Sequence, residues 1–375
     1  MTTDQPNRFL RAETDLFVGR RIEIERFLIV AMSGYFPVLL QTGPESLAVV
    51  FRTDGPHIGI TGTLSMSTSS DGGKSWTDSA RITPRWEDAR NPAFGISSGR
   101  LIVAYWTAVR HAYSADDSGY TWRPKEPEEI GTTAALAVRL SDDHGANWSE
   151  PWFYSSDNFV YASPYGRIFE LPSGVLGMPI YGRVRHKEPI EIACAILRSH
   201  DGGATWGDES MIATDYNETA IVVRNDGSLL AASRSESGRN LATFEGDETG
   251  RAWKFINSIT RTNEHPADLT VLDSGAMLLT FGRRIRPYGC GALLSRDGGR
   301  NWDRSNEALL AGDGAGNSDL GYPSTVQLRN GSICTALYYA SGSALSEGDS
   351  NWGSVSCQML RYQESIFGSG DSGAR

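Results

Sequence analysis

The chain has 375 residues, 39% of them apolar, with 41 glycines and 10 tryptophans, a mixture that supplies a large core and many tight turns and points to an all-β protein. Its formal net charge of −10 argues against nucleic acid and against an anionic membrane surface as partners. The N-terminal MTTDQPNRFLRAETDLF has no basic start followed by an apolar run, and no stretch approaches 18 apolar residues, so the expected location is cytoplasmic.

In chain order, the first apolar stretch is IEIERFLIVAM at 22–32, which is followed by six copies of one hairpin pattern. Each copy has a proline or its equivalent, an apolar strand, a glycine turn and a second apolar strand. The copies begin at FPVLLQTG (36), NPAFGISSG (91), SPYGRIFELPSG (163), NETAIVVRNDG (217), HPADLTVLDSG (265) and YPSTVQLRNG (322). Between them recurs a second pattern, Ser-x-Asp-x-Gly-x-(Ser/Thr/Asn)-Trp, at 69–76, 141–148, 199–206 and 295–302, with a degenerate copy, EGDETGRAW, at 245–253. In such an Asp-box turn the carboxylate accepts backbone N–H groups, glycine allows positive φ and tryptophan packs between sheets, so the motif serves folding. The similar DDSGYTW at 116–122 lies too close to the next copy to bound a blade, and falls in a long charged insertion, 107–135, expected at the rim of the site.

Steps of about 50 to 70 residues fit four short strands plus turns, so six hairpins predict a six-bladed β-propeller. The whole chain is read as one domain, 1–375, with an ordered core over about 22–366, a loose N-terminal lead and a loose Gly/Ser-rich tail. The sixth blade has no Asp box; its third strand is expected near 353–362 and its fourth from 22–32, closing the ring and hiding a strand edge. Cys194, Cys290, Cys334 and Cys357 lie far apart without metal-ligand spacing and are expected as buried thiols. No metal and no cofactor are expected.

The start of the first inner strand and the end of the second meet at one end of the propeller, opposite the Asp boxes. That end collects Tyr35, Arg52, Asp54 and His57 from blade one, and Arg90, Asn91 and Trp106 from blade two. Blades three and four bring Ser163, Tyr165, Arg183, Asn217, Glu218 and Arg234. Blade five adds His265, Arg283, Arg284 and Arg286, and blade six adds Asp319, Tyr322 and Tyr339. A ring of arginines and aromatics suits a small polyhydroxylated ligand bearing a carboxylate.

The Asp boxes and hairpins together resemble the sialidase (BNR-repeat) superfamily from about 22 to 362. The resemblance implies a tyrosine nucleophile at the start of the last blade, a glutamate that activates it, an arginine triad on the substrate carboxylate and an aspartate as acid/base. YNETAIVVRNDGSLLAASR looks like the glutamate strand and its arginine, mapping Glu218 and Arg234; LGYPSTVQLRNG maps Tyr322; GRRIRPYG offers Arg283 or Arg286. The chain departs from the pattern in blade one, where Tyr35-Phe36-Pro37 replaces the Arg-Ile-Pro-like opening, and FRTDGPHIGITG supplies both Asp54 and His57 as candidates for the acid.

The first functional expectation is therefore an exo-acting glycoside hydrolase that releases a terminal acidic sugar. Tyr322, Glu218 and Asp54 or His57 are its catalytic candidates. Arg52, Arg90, Asn91, Trp106, Arg234, His265, Arg283, Arg286 and Tyr339 are its substrate-binding candidates, and a carbohydrate is its partner. Two alternatives use the same mouth: a lyase acting on a uronic-acid-containing glycan, and a non-catalytic glycan-binding propeller.

Overall fold

A computed structural model of the chain describes residues 8–15, 21–57, 62–109, 113–116, 119–122, 134–312, 318–340 and 355–368. Blades one to five follow the hairpin pattern in order. Their first strands are Tyr35–Gln41, Glu87–Ser97, Phe159–Pro164, Tyr216–Val223 and Glu264–Val271. Their second strands are Leu47–Thr53, Arg100–Val109, Leu176–Val184, Leu229–Ser235 and Met277–Arg283. Third and fourth strands complete each antiparallel sheet outward. Blade six pairs Gly321–Gln327, Ile333–Ala340 and Val355–Tyr362, and its fourth strand is Arg21–Ala31 from the N-terminal segment. The strand closing the ring runs from Glu25 opposite Arg361 to Ala31 opposite Ser356, so the two ends of the barrel of blades are held by backbone bonds.

A strand at Arg8–Asp15 adds to this outer edge, where the sequence predicts a loose lead. Residues 1–7, 16–20 and 369–375 of the expected loose ends lie outside the described residues. The DDSGYTW stretch contributes to a separate two-stranded hairpin, Tyr113–Asp116 with Gly119–Trp122, and the rest of the 107–135 insertion is described only at its ends. Among the described residues, helix is confined to two 3-10 turns, Arg304–Asn306 and Glu364–Phe367. All four cysteines are buried and free.

The proline-bearing openings of the hairpins have a common structure. In five blades the register between the inner strands slips by an inserted residue at the same place: between Tyr35 and Val38, Arg90 and Ala93, Tyr216 and Thr219, Glu264 and Ala267, and Gly321 and Ser324. These are β-bulges, which leave a residue outside the ladder and so tolerate proline at positions 37, 92, 266 and 323. In three of them the residue before proline is left-handed: Phe36, Asn91 and Tyr322 have φ of 55°, 50° and 49°. A side chain in that conformation costs about 1–3 kcal/mol and persists only where the surrounding packing fixes it. Blade four carries Glu218 at the position that proline takes in the other four.

Blade three breaks the pattern. After Pro164 its chain turns through Gly166 (φ 68°) and runs parallel to the first strand of blade two, Gly166 opposite Ala93 and Arg167 opposite Phe94. Arg167 then reaches across the axis to the Thr325 and Leu269 carbonyl oxygens and to Asp268 at 3.0 Å. The propeller axis is thus filled by a guanidinium below the mouth, and the mouth becomes a cleft with a floor.

At the opposite end, the Ser-x-Asp-x-Gly turns join third to fourth strands in blades one to five. In blade three the Asp201 carboxylate accepts Thr205 N–H at 2.9 Å and the Thr205 hydroxyl at 2.6 Å, the Ser199 hydroxyl accepts Gly203 N–H at 2.8 Å, and the Trp206 indole donates to the Gly203 carbonyl at 3.0 Å. The degenerate copy keeps the same logic, with Asp247 accepting Arg251 N–H and Trp253 donating to Gly250. Burial opposes the charge on Asp201, but the bonds from Thr205 and Ser199 outweigh it and hold the acid below its ordinary range. Asp71, Asp247 and Asp297 are depressed against burial by the same kind of bonds, and Asp143 chiefly by Asn147.

A depressed folded value means that the stabilisation is fully present above the unfolded value of about 3.9 and is lost as pH falls through the folded one. Asp201→Asn is therefore expected to lower the unfolding temperature at pH 7, with the gap from the wild type closing as the pH is taken below about 4. Thermal unfolding of both proteins across pH 7 to 2.5 checks this; a gap that stays constant contradicts it.

Candidate active site

The mouth holds a cleft of about 270 Å³ lined by Phe36, His57, Arg90, Asn91, Trp106, Tyr161, Ser163, Tyr181, Glu218 and Tyr322. It lies near the lower end of the range for small-ligand pockets and offers polar groups on several walls. At its base, bulges from blades four and six bring Glu218 and Tyr322 together across the axis. The Tyr322 hydroxyl donates to Glu218 Oε1, and Arg234 Nη1 donates to Glu218 Oε2 at 2.8 Å. Both carboxylate oxygens are thus engaged, one by a proton donor and one by a fixed cation.

Burial, and then the Glu218 charge, pushes the Tyr322 phenol well above its ordinary value, against the pull of Arg284 and Arg234. The phenol is therefore protonated at rest, and its proton is directed at Glu218. Arg284, buried, lies 5.7 Å from the Tyr322 ring centre. Tyr322 also stacks on Tyr338, with centroids 5.7 Å apart and planes at 30°, and meets Phe36 edge-on at 4.7 Å. Tyr165 closes the floor beneath it, its hydroxyl donating to the Ala267 carbonyl at 2.7 Å.

A second cluster stands beside the first. His57 Nδ1 lies 2.8 Å from Asp319 Oδ1, and the Tyr338 hydroxyl donates to the same oxygen at 2.6 Å. Burial alone would raise Asp319, but the His57 charge and the bonds from His57 and Tyr338 bring it down to about 2. On the far wall, Arg90 lies 4.1 Å above the Trp106 ring and 3.1 Å from Asp88, while Asn91 donates to Ser163 and to Tyr181.

The BNR repeat-like domain family matches residues 103–335, well over half of the chain, and the chain belongs to it. The chain is thereby a member of the sialidase-like superfamily. A sialidase of Bacteroides fragilis is 22% identical over 276 residues, 66% of this chain and 49% of that protein; one of Paraclostridium sordellii is 23% identical over 49% of this chain and 41% of its own length. The chain thus spans about half the length of these relatives or less. Among solved structures, a protein of unknown function from Dyadobacter fermentans aligns with a TM-score of 0.71 at 19% identity, covering 94% of this chain and 99% of that one. A Hadza microbial sialidase gives 0.65 at 18% identity over 89% and 66%, and Trypanosoma rangeli sialidase in complex with sialic acid 0.62 at 13% over 94% and 57%. At these identities the structural likeness is one of fold.

Of the residues the sequence proposes for the site, the cleft or its base contains Tyr322, Glu218, His57, Arg90, Asn91, Trp106 and Arg234. The others lie elsewhere. Arg52 is fully buried between blades one and two, 2.5 Å from Asp88 and bonded to the Ala89 and Pro56 carbonyls. Asp54 turns outward to Arg81 at 3.1 Å and Arg85 at 3.7 Å, and accepts from Thr63. His265 is wholly buried below the mouth, where burial and then Arg234, Arg284 and Arg239 push it down to about 2 and keep it neutral. Arg283 is spent on Glu264 and on the Ile285 and Pro287 carbonyls, and Arg286 on Tyr288. Tyr339 packs in the core with Ile24 and Leu337.

Their places are taken by neighbours: Arg284 for Arg283 and Arg286, and Tyr338 for Tyr339. Tyr161 and Tyr181, absent from the sequence-based set, lie on the first and second strands of blade three, each two residues from a position in that set, Ser163 and Arg183.

Arg52 provides a direct discrimination. If it is the inter-blade tie described above, Arg52→Met strands part of the buried Asp88 charge and destabilises the fold by about 3 kcal/mol, the low end for a broken buried pair because Arg90 still faces Asp88. Urea unfolding reads this. A rise in KM at unchanged stability would instead return Arg52 to the substrate.

Proposed function

We propose that the chain is a sialidase-like exo-glycoside hydrolase that releases a terminal acidic sugar, with Tyr322 as nucleophile and Glu218 as its base. The observation that carries this reading is the Tyr322–Glu218 hydrogen bond at the base of a polar cleft, with Arg234 on the second carboxylate oxygen. A neutral phenol is a fitting nucleophile for an anionic sugar, since a carboxylate would be repelled. Arg234 and Arg284 stand near the nucleophile and Arg90 lines the cleft, cations that suit the substrate's charge. His57, which lines the cleft, is preferred as acid/base over Asp54, which turns away from it.

In the first step the Tyr322 oxygen bonds to the anomeric carbon as its proton passes to Glu218, while the glycosidic bond breaks and the leaving oxygen takes a proton from His57. In the second, water gives a proton to His57 and its oxygen bonds to the anomeric carbon; the Tyr322 oxygen leaves and recovers its proton from Glu218. The enzyme returns to its starting state with net retention of configuration. No metal or cofactor enters either step.

Turnover of 4-methylumbelliferyl glycosides of N-acetylneuraminic acid, its deaminated analogue and glucuronic acid tests the reading. Tyr322→Phe is expected to lose about 10³-fold or more in kcat with sugar binding retained, and Glu218→Gln about 10²–10⁴-fold. Full activity of the phenylalanine variant, or an unsaturated product with new ultraviolet absorbance, would overturn it in favour of another mechanism or of elimination.

A further inference from the structure

Resting on the hydrolase reading, we propose that Asp319 is a positioning residue for His57, fixing which ring nitrogen serves the glycosidic oxygen and tying that acid/base to the tyrosine stack that carries the nucleophile. Asp319 Oδ1 lies 2.8 Å from His57 Nδ1 and 2.6 Å from the Tyr338 hydroxyl. An ionised carboxylate can only accept, so both neighbours must donate to it. The Nδ1 proton is thereby committed to Asp319, and Nε2 is left as the nitrogen that gives and takes the catalytic proton: His57 carries a proton on both nitrogens before the leaving oxygen is protonated and keeps only the one on Nδ1 afterwards.

Both stacked tyrosines donate to a carboxylate, Tyr338 to Asp319 and Tyr322 to Glu218, but the Asp319 oxygen is shared with His57 and of the two rings it is Tyr322 that lines the cleft. Asp319 is 5% exposed and close to Arg284, and it packs under an aromatic frame in which Phe36 meets His57 edge-on at 4.8 Å and Tyr35 lies 5.6 Å from it. The imidazole is fixed in plane by the carboxylate and from the sides by rings. A carboxylate whose oxygen joins two donors from separate elements has a purpose beyond local turn formation, since Asp319 belongs to the approach to blade six and His57 to the loop after the second strand of blade one.

Two measurements on the full chain test the proposal. Long-range ¹H–¹⁵N NMR at a pH where the ring carries a single proton, with His57 assigned by comparison with His57→Gln, is expected to find the Nδ1–H form in the wild type and its loss in Asp319→Ala. Finding Nε2–H in the wild type, or unchanged Nδ1–H in the variant, would overturn the proposal whatever the activity.

The second measurement compares turnover of an alkyl glycoside and a 4-methylumbelliferyl glycoside of the same acidic sugar. A residue that only positions the acid should matter where the leaving group needs a proton: Asp319→Ala is expected to lose about 10²-fold or more on the alkyl glycoside and less than about 10-fold on the aryl one. Asp319→Asn, which keeps the shape without the charge, serves if the alanine variant does not fold, and Asp319→Glu is expected to recover part of the alkyl rate. Equal losses on both substrates would assign Asp319 a structural role and overturn the proposal alone. Absence of turnover by the wild type on every glycoside would instead remove the hydrolase reading, and with it any catalytic role for Asp319.

Discussion

A strand that runs along a propeller axis presents its side chains to the neighbouring blades, and something must turn a few of them inward before a site can form at the mouth. Here the β-bulge at the start of the inner strands does so. It inserts a residue at the same place in five of the six first strands, blade three having its insertion between Phe159 and Tyr161 instead, and in three of the five it holds that residue left-handed, at Phe36, Asn91 and Tyr322. The conformational cost is offset by the packing of the blades around the bulge. Glu218 occupies the bulge of blade four where proline stands in its counterparts, so one repeated backbone device delivers both members of the Tyr322–Glu218 pair to the same point.

The floor and the closure serve that arrangement. Arg167 fills the axis with bonds to blades five and six, and the strand Arg21–Ala31 completes blade six behind Tyr322 and Tyr338. Around the pair, charge is arranged in layers. Arg234 and Arg284 offset Glu218 and oppose the rise of the Tyr322 phenol, His265 is kept neutral below them, and Asp319 stands with His57 on the other side of the aromatic stack.

The blade number was legible because each inner hairpin is marked at both ends, by the residue pair of the bulge and by the glycine of the turn. Glu218 and Tyr322 were legible for the same reason, since they sit within those marks. The residues placed wrongly fall where parity or a distant partner decides. Tyr338 and Tyr339 are adjacent on one strand, and a step of one residue exchanges the axial face for the interface with blade five. Arg283 ends its strand opposite Glu264 while Arg284, one residue on, reaches the site. Arg52 could not be read locally at all: its seat is made by Asp88 and the Ala89 carbonyl of the next blade, and by Gly62, where a Cβ would stand 1.9 Å from the guanidinium carbon. Asp54 is drawn away by Arg81 and Arg85, both far along the chain from the motif that suggested it as an acid.

The central claim is that the Tyr322 oxygen becomes bonded to the sugar. Incubation with a fluorinated acidic glycosyl fluoride that slows release, followed by acid quench, digestion and mass spectrometry, tests it most directly. The account predicts a glycosyl adduct on the peptide containing Tyr322, located on that residue by fragmentation and absent from Tyr322→Phe. An adduct on Glu218 instead, or turnover of the parent glycoside through an unsaturated product with no adduct on Tyr322, would contradict it.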